Sequence, residues 1–95
     1  MGINEVTLTG TLTCVSEAEA SRVRAALPAH ITLTRAEAGC LSFEVTATED
    51  PIVWNVAERF TDASAFKAHQ TRAAASDWAV QTAGIARNYT ITGLE

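Results

Sequence analysis

The first candidate for chemistry in this sequence is a carboxylate on an otherwise apolar strand face. Glu58 alternates with large apolar residues along one predicted strand; the other members of that face are Ile52, Trp54, Val56 and Phe60. If this face packs against helices, the carboxyl group loses its water, which costs free energy unless it gains a partner, a raised pKa or an aqueous pocket. A salt bridge to Arg87, or a bulge that turns Glu58 toward solvent, would meet the same need without catalysis.

An imidazole is predicted to enter the same space. His69 shares one stripe with Phe66 and Ala73, at the i, i+3 and i+7 spacing of a single helix face, so its ring is expected to point toward the sheet. A histidine of near-neutral pKa beside Glu58 in an apolar pocket is suited to act as a general base on a weakly acidic substrate. The alternative is a structural histidine that one hydrogen bond holds in the core.

Four aromatic side chains could line a flat slot beside this pair, because large rings pack well against an aromatic ligand. They are Trp54, Phe60, Phe66 and Trp78, and each also suits a hydrophobic core. Arg59 and Arg72 could orient an anionic substrate, but we interpret both as surface charges. His30 follows Pro28 closely, and we interpret it as solvent-facing or structural.

The cysteines indicate neither a metal site nor a disulfide framework. Cys14 and Cys40 share no CxxC spacing, and with His30 and His69 they form no standard ligand pattern. We interpret both as small buried hydrophobes; the sequence alone leaves a disulfide between them open. We expect no metal ion.

Alternation of apolar and polar residues predicts the strands that position these groups. The predicted strands are Ile3 to Cys14, Leu41 to Thr48, Ile52 to Phe60, and Ile85 to about Gly93. The turn between the second and third strands is short, which predicts an antiparallel hairpin.

The first helix is predicted to be interrupted. Ser16 and Glu19 form a capping box that begins it. Pro28 disfavours the α conformation at Leu27, so we expect a kink or a break there. A second helical piece would then end at Gly39, because glycine commonly follows the last residue of a helix.

The second helical region follows the third strand. Asp62 is its N-cap candidate, with Thr61 as the competitor, and a further short helical piece ends at Gly84. The order β-α-β-β-α-β predicts an α+β protein of the ferredoxin-like class, with a four-stranded antiparallel sheet and helices on one face. We assign one domain, residues 1–95.

The other face of the sheet is polar and β-branched. It carries the alternate threonines of the first strand together with Ser42, Glu44, Thr46, Val53, Asn55 and Ala57. Of the residues, 47% are apolar, but 18 of them are alanine, which leaves a modest core for a chain of this length. We therefore expect a second copy of the sheet to close this face in a homodimer.

Composition excludes two classes of partner. The net charge is −4 with a single lysine, Lys67, so the chain offers no basic face for nucleic acid. No apolar run approaches the ~20 residues that span a bilayer, and no basic segment precedes an apolar stretch near the start. We expect a cytoplasmic protein.

Several of these residues together resemble the antibiotic biosynthesis monooxygenase family. The resemblance rests on the stretch from Arg35 to Phe43 with its Gly-Cys pair, on Asp50-Pro51, on Glu58-Arg59-Phe60 and on Phe66-Lys67-Ala68-His69. It covers nearly the whole chain in order and spacing. Ala38 stands where the family usually has proline.

The resemblance implies a dimeric α+β barrel, and its relatives include quinol monooxygenases that use O₂ without a cofactor. Glu58 and His69 match the motif as site residues, and Trp54 matches by location only. Related barrels degrade haem with an Asn, a Trp and a His; Asn4 and His69 could take two of those parts, but Phe60 stands where the Trp is expected.

The function that this resemblance implies is a cofactor-independent monooxygenase acting on a quinol, an anthrone or a similar reduced aromatic. His69, oriented or assisted by Glu58, would remove a proton, and the resulting anion would pass an electron to O₂ without flavin or metal. A non-catalytic dimeric module that binds a small ligand or a protein is the first alternative. An isomerase or a haem-degrading enzyme on the same scaffold is another, since a fold does not fix a function.

Overall fold

A computed structural model describes residues 4–94 of the chain. The elements are β1 (Val6–Thr13), α1 (Glu17–Arg35), β2 (Cys40–Ala47), β3 (Val53–Phe60), α2 (Ala63–Ala74), α3 (Asp77–Gln81) and β4 (Ala86–Thr92). The strands form one antiparallel sheet in the order β2-β3-β1-β4, and the helices pack on one of its faces. The ferredoxin-like α+β prediction is confirmed. Ile3, the predicted start of the first strand, lies outside the described residues.

The register of the sheet places one carboxylate at the centre of the helix-covered face. In the central pair of strands, Glu58 of β3 lies opposite Leu8 of β1 and Phe43 of β2. Side chains alternate across a strand, so Glu58 shares its face with Trp54 and Phe60, and all of them are buried. The polar face of β1 is half-buried to exposed, as the alternation predicted.

The first helix does not break at its proline. α1 runs without interruption from Glu17 to Arg35, with Pro28 inside it and exposed, so the predicted kink or break is wrong. The physical reason is that Val23, Ala26 and His30 bury one continuous stripe, and this packing outweighs the single hydrogen bond that proline cannot donate.

The end of α1 also differs from the prediction. The helix ends at Arg35 with Ala36 as its C-cap, and Gly39 instead lies directly before β2. At the N-terminal end of α1 the predicted cap is confirmed, because the Ser16 hydroxyl accepts a hydrogen bond from the Glu19 backbone N–H. Asp62 rather than Thr61 caps α2, because its carboxylate accepts from the Ala65 N–H.

Within the described part of the chain, no helix has both the length and the apolar character that a membrane crossing requires.

Replacing the helical proline tests why α1 stays continuous. Pro28→Ala restores a backbone N–H that can donate to the Arg24 carbonyl and removes the ring clash in mid-helix. Part of that gain is offset because alanine leaves the unfolded chain more freedom. We expect the free energy of unfolding in urea to rise by roughly 1–2 kcal/mol; an equal or lower value would contradict the packing explanation.

Candidate functional site

The structure brings Glu58 and His69 together. Glu58 extends from β3 and His69 from α2, and the distance from His69 Nε2 to Glu58 Oε1 is 3.9 Å. Only 7% of Glu58 and 4% of His69 is exposed. The separation is beyond a direct hydrogen bond, but the two groups are close enough for the charge of one to govern the protonation of the other.

A second carboxylate, which the sequence analysis did not assign to the site, holds the imidazole. His69 Nδ1–H donates to Glu37 Oε1 at 2.9 Å, and Glu37 lies in the loop between α1 and β2. An ionised carboxylate can only accept, so this bond places the proton on Nδ1. The lone pair of Nε2 therefore faces Glu58, as a general base requires.

A guanidinium fixes that second carboxylate in turn. Arg72 Nε donates to Glu37 Oε2 at 2.6 Å, and Arg72 Nη2 donates to the Thr34 hydroxyl at 2.8 Å. Arg72 is half-buried, so its interpretation as a surface charge is wrong. A series of hydrogen bonds thus links Thr34, Arg72, Glu37 and His69. It connects α1, the following loop and α2, and it fixes the orientation of the imidazole on its Nδ1 side.

A close approach of loop and helix makes this arrangement possible. A Cβ atom added at Gly39 would lie 2.2 Å from the Ala65 Cβ and 3.0 Å from the Thr61 hydroxyl. The loop that carries Glu37 can therefore approach α2 only because residue 39 has no side chain. Glycine before β2 was the one sequence signal that could have placed Glu37 near His69.

Burial reverses the usual order of the two pKa values in the facing pair. Desolvation raises the pKa of Glu58 to about 7, and the negative charge of Glu37 adds to the rise. Desolvation lowers the pKa of His69, while the charge and hydrogen bond of Glu37 oppose that fall. A proton shared by the pair therefore resides on Glu58 rather than on His69, which leaves the imidazole neutral.

The pair opens onto a cavity of about 190 Å³ on the helix-covered face of the sheet. Leu8, Ala73 and Trp78 supply apolar wall, and Arg87 and Tyr89 of β4 supply polar groups. Burial raises the pKa of the Tyr89 phenol, so it stays protonated at neutral pH. The cavity is lined by more polar than apolar surface, and it offers a small ring one aromatic wall at Trp78 with a base at one end.

The four predicted slot aromatics occupy different places. Trp78 lines the cavity. Phe60 and Phe66 pack against each other, and the Phe60 ring lies 4.9 Å from the His69 ring, so they support the imidazole rather than line the cavity. Trp54 is buried farther along β3, opposite Leu12, and is not among the residues that line the cavity.

The structure decides between the alternatives given for two basic residues. His30 is only 5% exposed, and its ring stacks on Trp78 with centroids 4.6 Å apart, so it is not solvent-facing. Arg87 donates to the Thr82 and Ile85 carbonyls and to the Thr82 hydroxyl. It forms no ion pair with Glu58 within the described residues; Glu58 Oε1 is buried without a hydrogen-bond partner there, and His69 Nε2 lies 3.9 Å from it.

Arg59 lies on the opposite side of the sheet from the cavity. Its Nε donates to Glu5 Oε2 at 2.6 Å, and half of its side chain is exposed. The interpretation of Arg59 as a surface charge is confirmed. Asn4 is exposed ahead of β1.

A larger groove of about 570 Å³ lies on the other side of the loop that carries Glu37. Its floor is made by small residues of that loop and of α2, including Ala38, Ala65 and Ala68. His69 contributes to this groove, but Glu58 does not. The two groups suited to proton transfer therefore share the smaller cavity and not this groove.

No group of three histidine, cysteine or acidic side chains within residues 4–94 is arranged to hold a metal ion. Cys14 is buried and Cys40 half-buried, and both are free thiols. Burial raises the pKa of each thiol, which disfavours the reactive thiolate. Neither cysteine lines the cavity beside Glu58.

The sequence and the fold of the chain are similar to those of known proteins. Residues 6–81 match the family model described as antibiotic biosynthesis monooxygenase. The chain is similar to PA3566 from Pseudomonas aeruginosa, with 25% identity, 92% of this chain and 88% of that one covered, and a TM-score of 0.68. It is also similar to Rv0793 from Mycobacterium tuberculosis, with 24% identity, 92% and 91% covered, and a TM-score of 0.71. No curated protein matches the chain.

The buried carboxyl group makes a direct prediction about stability. Because the folded protein raises the pKa of Glu58 from its ordinary value near 4.5 to about 7, its protonated form is the one that folding favours. Its contribution is fully present below about pH 4.5 and is lost as the pH rises through about 7. Glu58→Gln, which cannot ionise, should gain roughly 3 kcal/mol of unfolding free energy relative to the parent between pH 4.5 and 8.

Urea denaturation of both proteins at the two pH values measures this difference. Glu49→Gln removes an exposed carboxylate in the turn between β2 and β3 and is the matched control for loss of one negative charge. A stability difference between Glu58→Gln and the parent that does not change with pH would show that Glu58 is not desolvated.

Proposed function

The chain belongs to the antibiotic biosynthesis monooxygenase family, and from that premise we propose that it is a cofactor-independent monooxygenase that oxidises a small quinol with O₂. The observation that carries the proposal is the His69 ring, which Glu37 holds at Nδ1 while Nε2 faces Glu58 across 3.9 Å. A buried base with a fixed tautomer is what abstraction of a phenolic proton requires.

The cavity sets the size of the substrate. Its volume of about 190 Å³ lies below the ~300 Å³ at which drug-sized pockets begin. One or two fused rings fit this space better than the three rings of an anthrone. We therefore propose a quinol of the benzene or naphthalene series, with its ring against Trp78 and its hydroxyl toward His69.

The first step transfers a proton. His69 Nε2 accepts the proton of the substrate hydroxyl and becomes an imidazolium. Glu37 at 2.9 Å from Nδ1 and the ionised form of Glu58 on the Nε2 side stabilise that positive charge. The guanidinium of Arg87, which lines the same cavity, favours the substrate anion.

The second step forms a carbon–oxygen bond. The electron-rich anion gives one electron to O₂, and the aryloxyl radical and superoxide combine at a ring carbon, with the proton from His69 completing a hydroperoxide. The hydroperoxide loses water as its O–O bond breaks. The balance is quinol plus O₂ to hydroxyquinone plus water, and the substrate itself supplies the electrons. No flavin or metal is needed in this sequence.

The buried position of the base favours recombination over escape. Glu58 and His69 are almost completely buried, and a substrate that fills the cavity displaces water from them, so the radical and superoxide form next to each other. The protein's contribution is to position the substrate, accept its proton and confine the intermediates.

We propose that the functional unit is a homodimer. The face of the sheet opposite the cavity carries exposed Thr9, Glu44 and Asn55, and it forms a concave surface of about 320 Å³. A second sheet of the same shape would cover it. The cavity that holds Glu58 and His69 lies on the other face, within one subunit.

Isotope labelling tests the reaction type. With naphthohydroquinone and ¹⁸O-labelled O₂, the protein should place one labelled atom in a hydroxynaphthoquinone, at a rate above spontaneous oxidation. Unlabelled naphthoquinone with hydrogen peroxide would instead show a simple oxidase reaction. Mass spectrometry of the product separates these outcomes.

Removing the base tests its role in the same assay. His69→Ala should lower kcat by roughly 10²- to 10⁴-fold, the usual contribution of a general base. Lys67→Ala, an exposed substitution on the same helix, is the matched control. Unchanged turnover by a folded His69→Ala protein would show that His69 is not the base, whereas a parent protein without turnover would favour the non-catalytic binding module.

The rate should also follow the ionisation of Glu58. The groups that face it are His69 of α2, His30 of α1, Glu37, and Arg87 and Tyr89 of β4. Because the carboxylate stabilises the imidazolium, kcat/KM should rise with pH as Glu58 loses its proton near pH 7. In Glu58→Gln this step should disappear and the plateau should fall roughly tenfold; an unchanged profile would remove Glu58 from the mechanism.

A further inference from the structure

A second imidazole lies in the same cavity and takes no part in the proton transfer described above. His30 extends from the middle of α1 and is 5% exposed. Its ring lines the cavity together with Glu58 and His69, and its centroid lies 6.0 Å from that of His69. The two rings reach the space from different helices.

The ring of His30 is fixed before any ligand binds. It stacks on Trp78 with centroids 4.6 Å apart and planes within 3° of parallel. It also packs against Phe43 with centroids 5.3 Å apart in a nearly perpendicular arrangement. Contacts on two sides restrict its rotation, so a ligand would not have to order this side chain.

This fixed ring has hydrogen-bonding capacity that the protein does not use. Nδ1 of His30 is buried and has no hydrogen-bond partner within residues 4–94. Burial, reinforced by the positive charge of Arg72, lowers the pKa of the ring to about 4, so at pH 7 it is neutral with one donor and one acceptor nitrogen. An unpartnered buried polar group costs free energy, and an apolar ring of the same size would pack on Trp78 and Phe43 without that cost.

We propose that His30 hydrogen-bonds the second oxygen of an aromatic diol whose first hydroxyl lies at His69. The inference rests on the proposed function, because it specifies which quinol the cavity accepts. His30 is a positioning and specificity residue; it selects a ring with two oxygens over one with a single hydroxyl, and it does not take the reacting proton.

Binding of two probes without O₂ tests the selection. Naphthohydroquinone and α-naphthol share a ring and differ by the second hydroxyl. By anaerobic calorimetry, the parent should bind the diol roughly three- to tenfold more tightly, the usual effect of one added hydrogen bond. His30→Phe keeps an aromatic ring on Trp78 but has no nitrogen, so it should lose this preference and retain its affinity for α-naphthol.

The conservative variant and turnover separate recognition from packing. His30→Gln keeps a donor and an acceptor and should restore part of the preference for the diol. With O₂ present, His30→Phe should raise KM for naphthohydroquinone by a similar factor with little change in kcat. Circular dichroism establishes that both variants fold.

Each other outcome has a definite meaning. An unchanged preference in His30→Phe, or an equal loss of affinity for both probes, would overturn the role of His30. Loss of the preference in His30→Phe together with full turnover by His69→Ala would overturn the proposed chemistry and leave His30 as a ligand-recognition residue. A parent protein that binds neither probe would overturn both proposals.

Discussion

The hydrogen bond between Glu37 and His69 is the interaction on which the rest of the site depends. An imidazole buried on an apolar face could adopt either tautomer and several orientations, and most of them would be useless for taking a proton from a ligand. The Glu37 carboxylate, 2.9 Å from Nδ1, selects one tautomer and one direction. Arg72 then holds Glu37 in place from α2 itself, so the imidazole and its anchor belong to one rigid unit.

This arrangement places several titratable groups almost entirely out of contact with bulk water. Glu58, His69 and His30 are all buried, and burial disfavours the charged form of each. A core of the same volume made of apolar side chains would be more stable. Concentrating destabilising polar groups at one place in a small domain is characteristic of a site selected for binding or chemistry rather than for stability.

Strand register, small residues and a continuous first helix bring the residues of the site together. The antiparallel register puts Glu58 at the centre of the covered face. The helix α2 packs on that face, with Phe66 and His69 on its buried side. Two small residues, Gly39 and Ala65, let the loop with Glu37 reach the helix. The continuous α1 carries both His30 and Thr34 on its buried stripe, so it contributes to the cavity and to the anchoring of Arg72.

The sequence alone determined what depends on local periodicity and capping. Alternation located the four strands and put Glu58 on the inner face, the helical stripe directed His69 to the same side, and the caps at Ser16 and Asp62 began the helices. Such features depend on neighbours within a few residues, so they can be recognised from the sequence alone.

Only the tertiary structure decided the remaining features of the site. Glu37 lies in a loop without periodicity, and its contact with His69 spans distant parts of the chain. His30 is buried because Trp78 of α3 covers it, and α1 passes through Pro28 because the packing of a whole helix face outweighs one missing hydrogen bond.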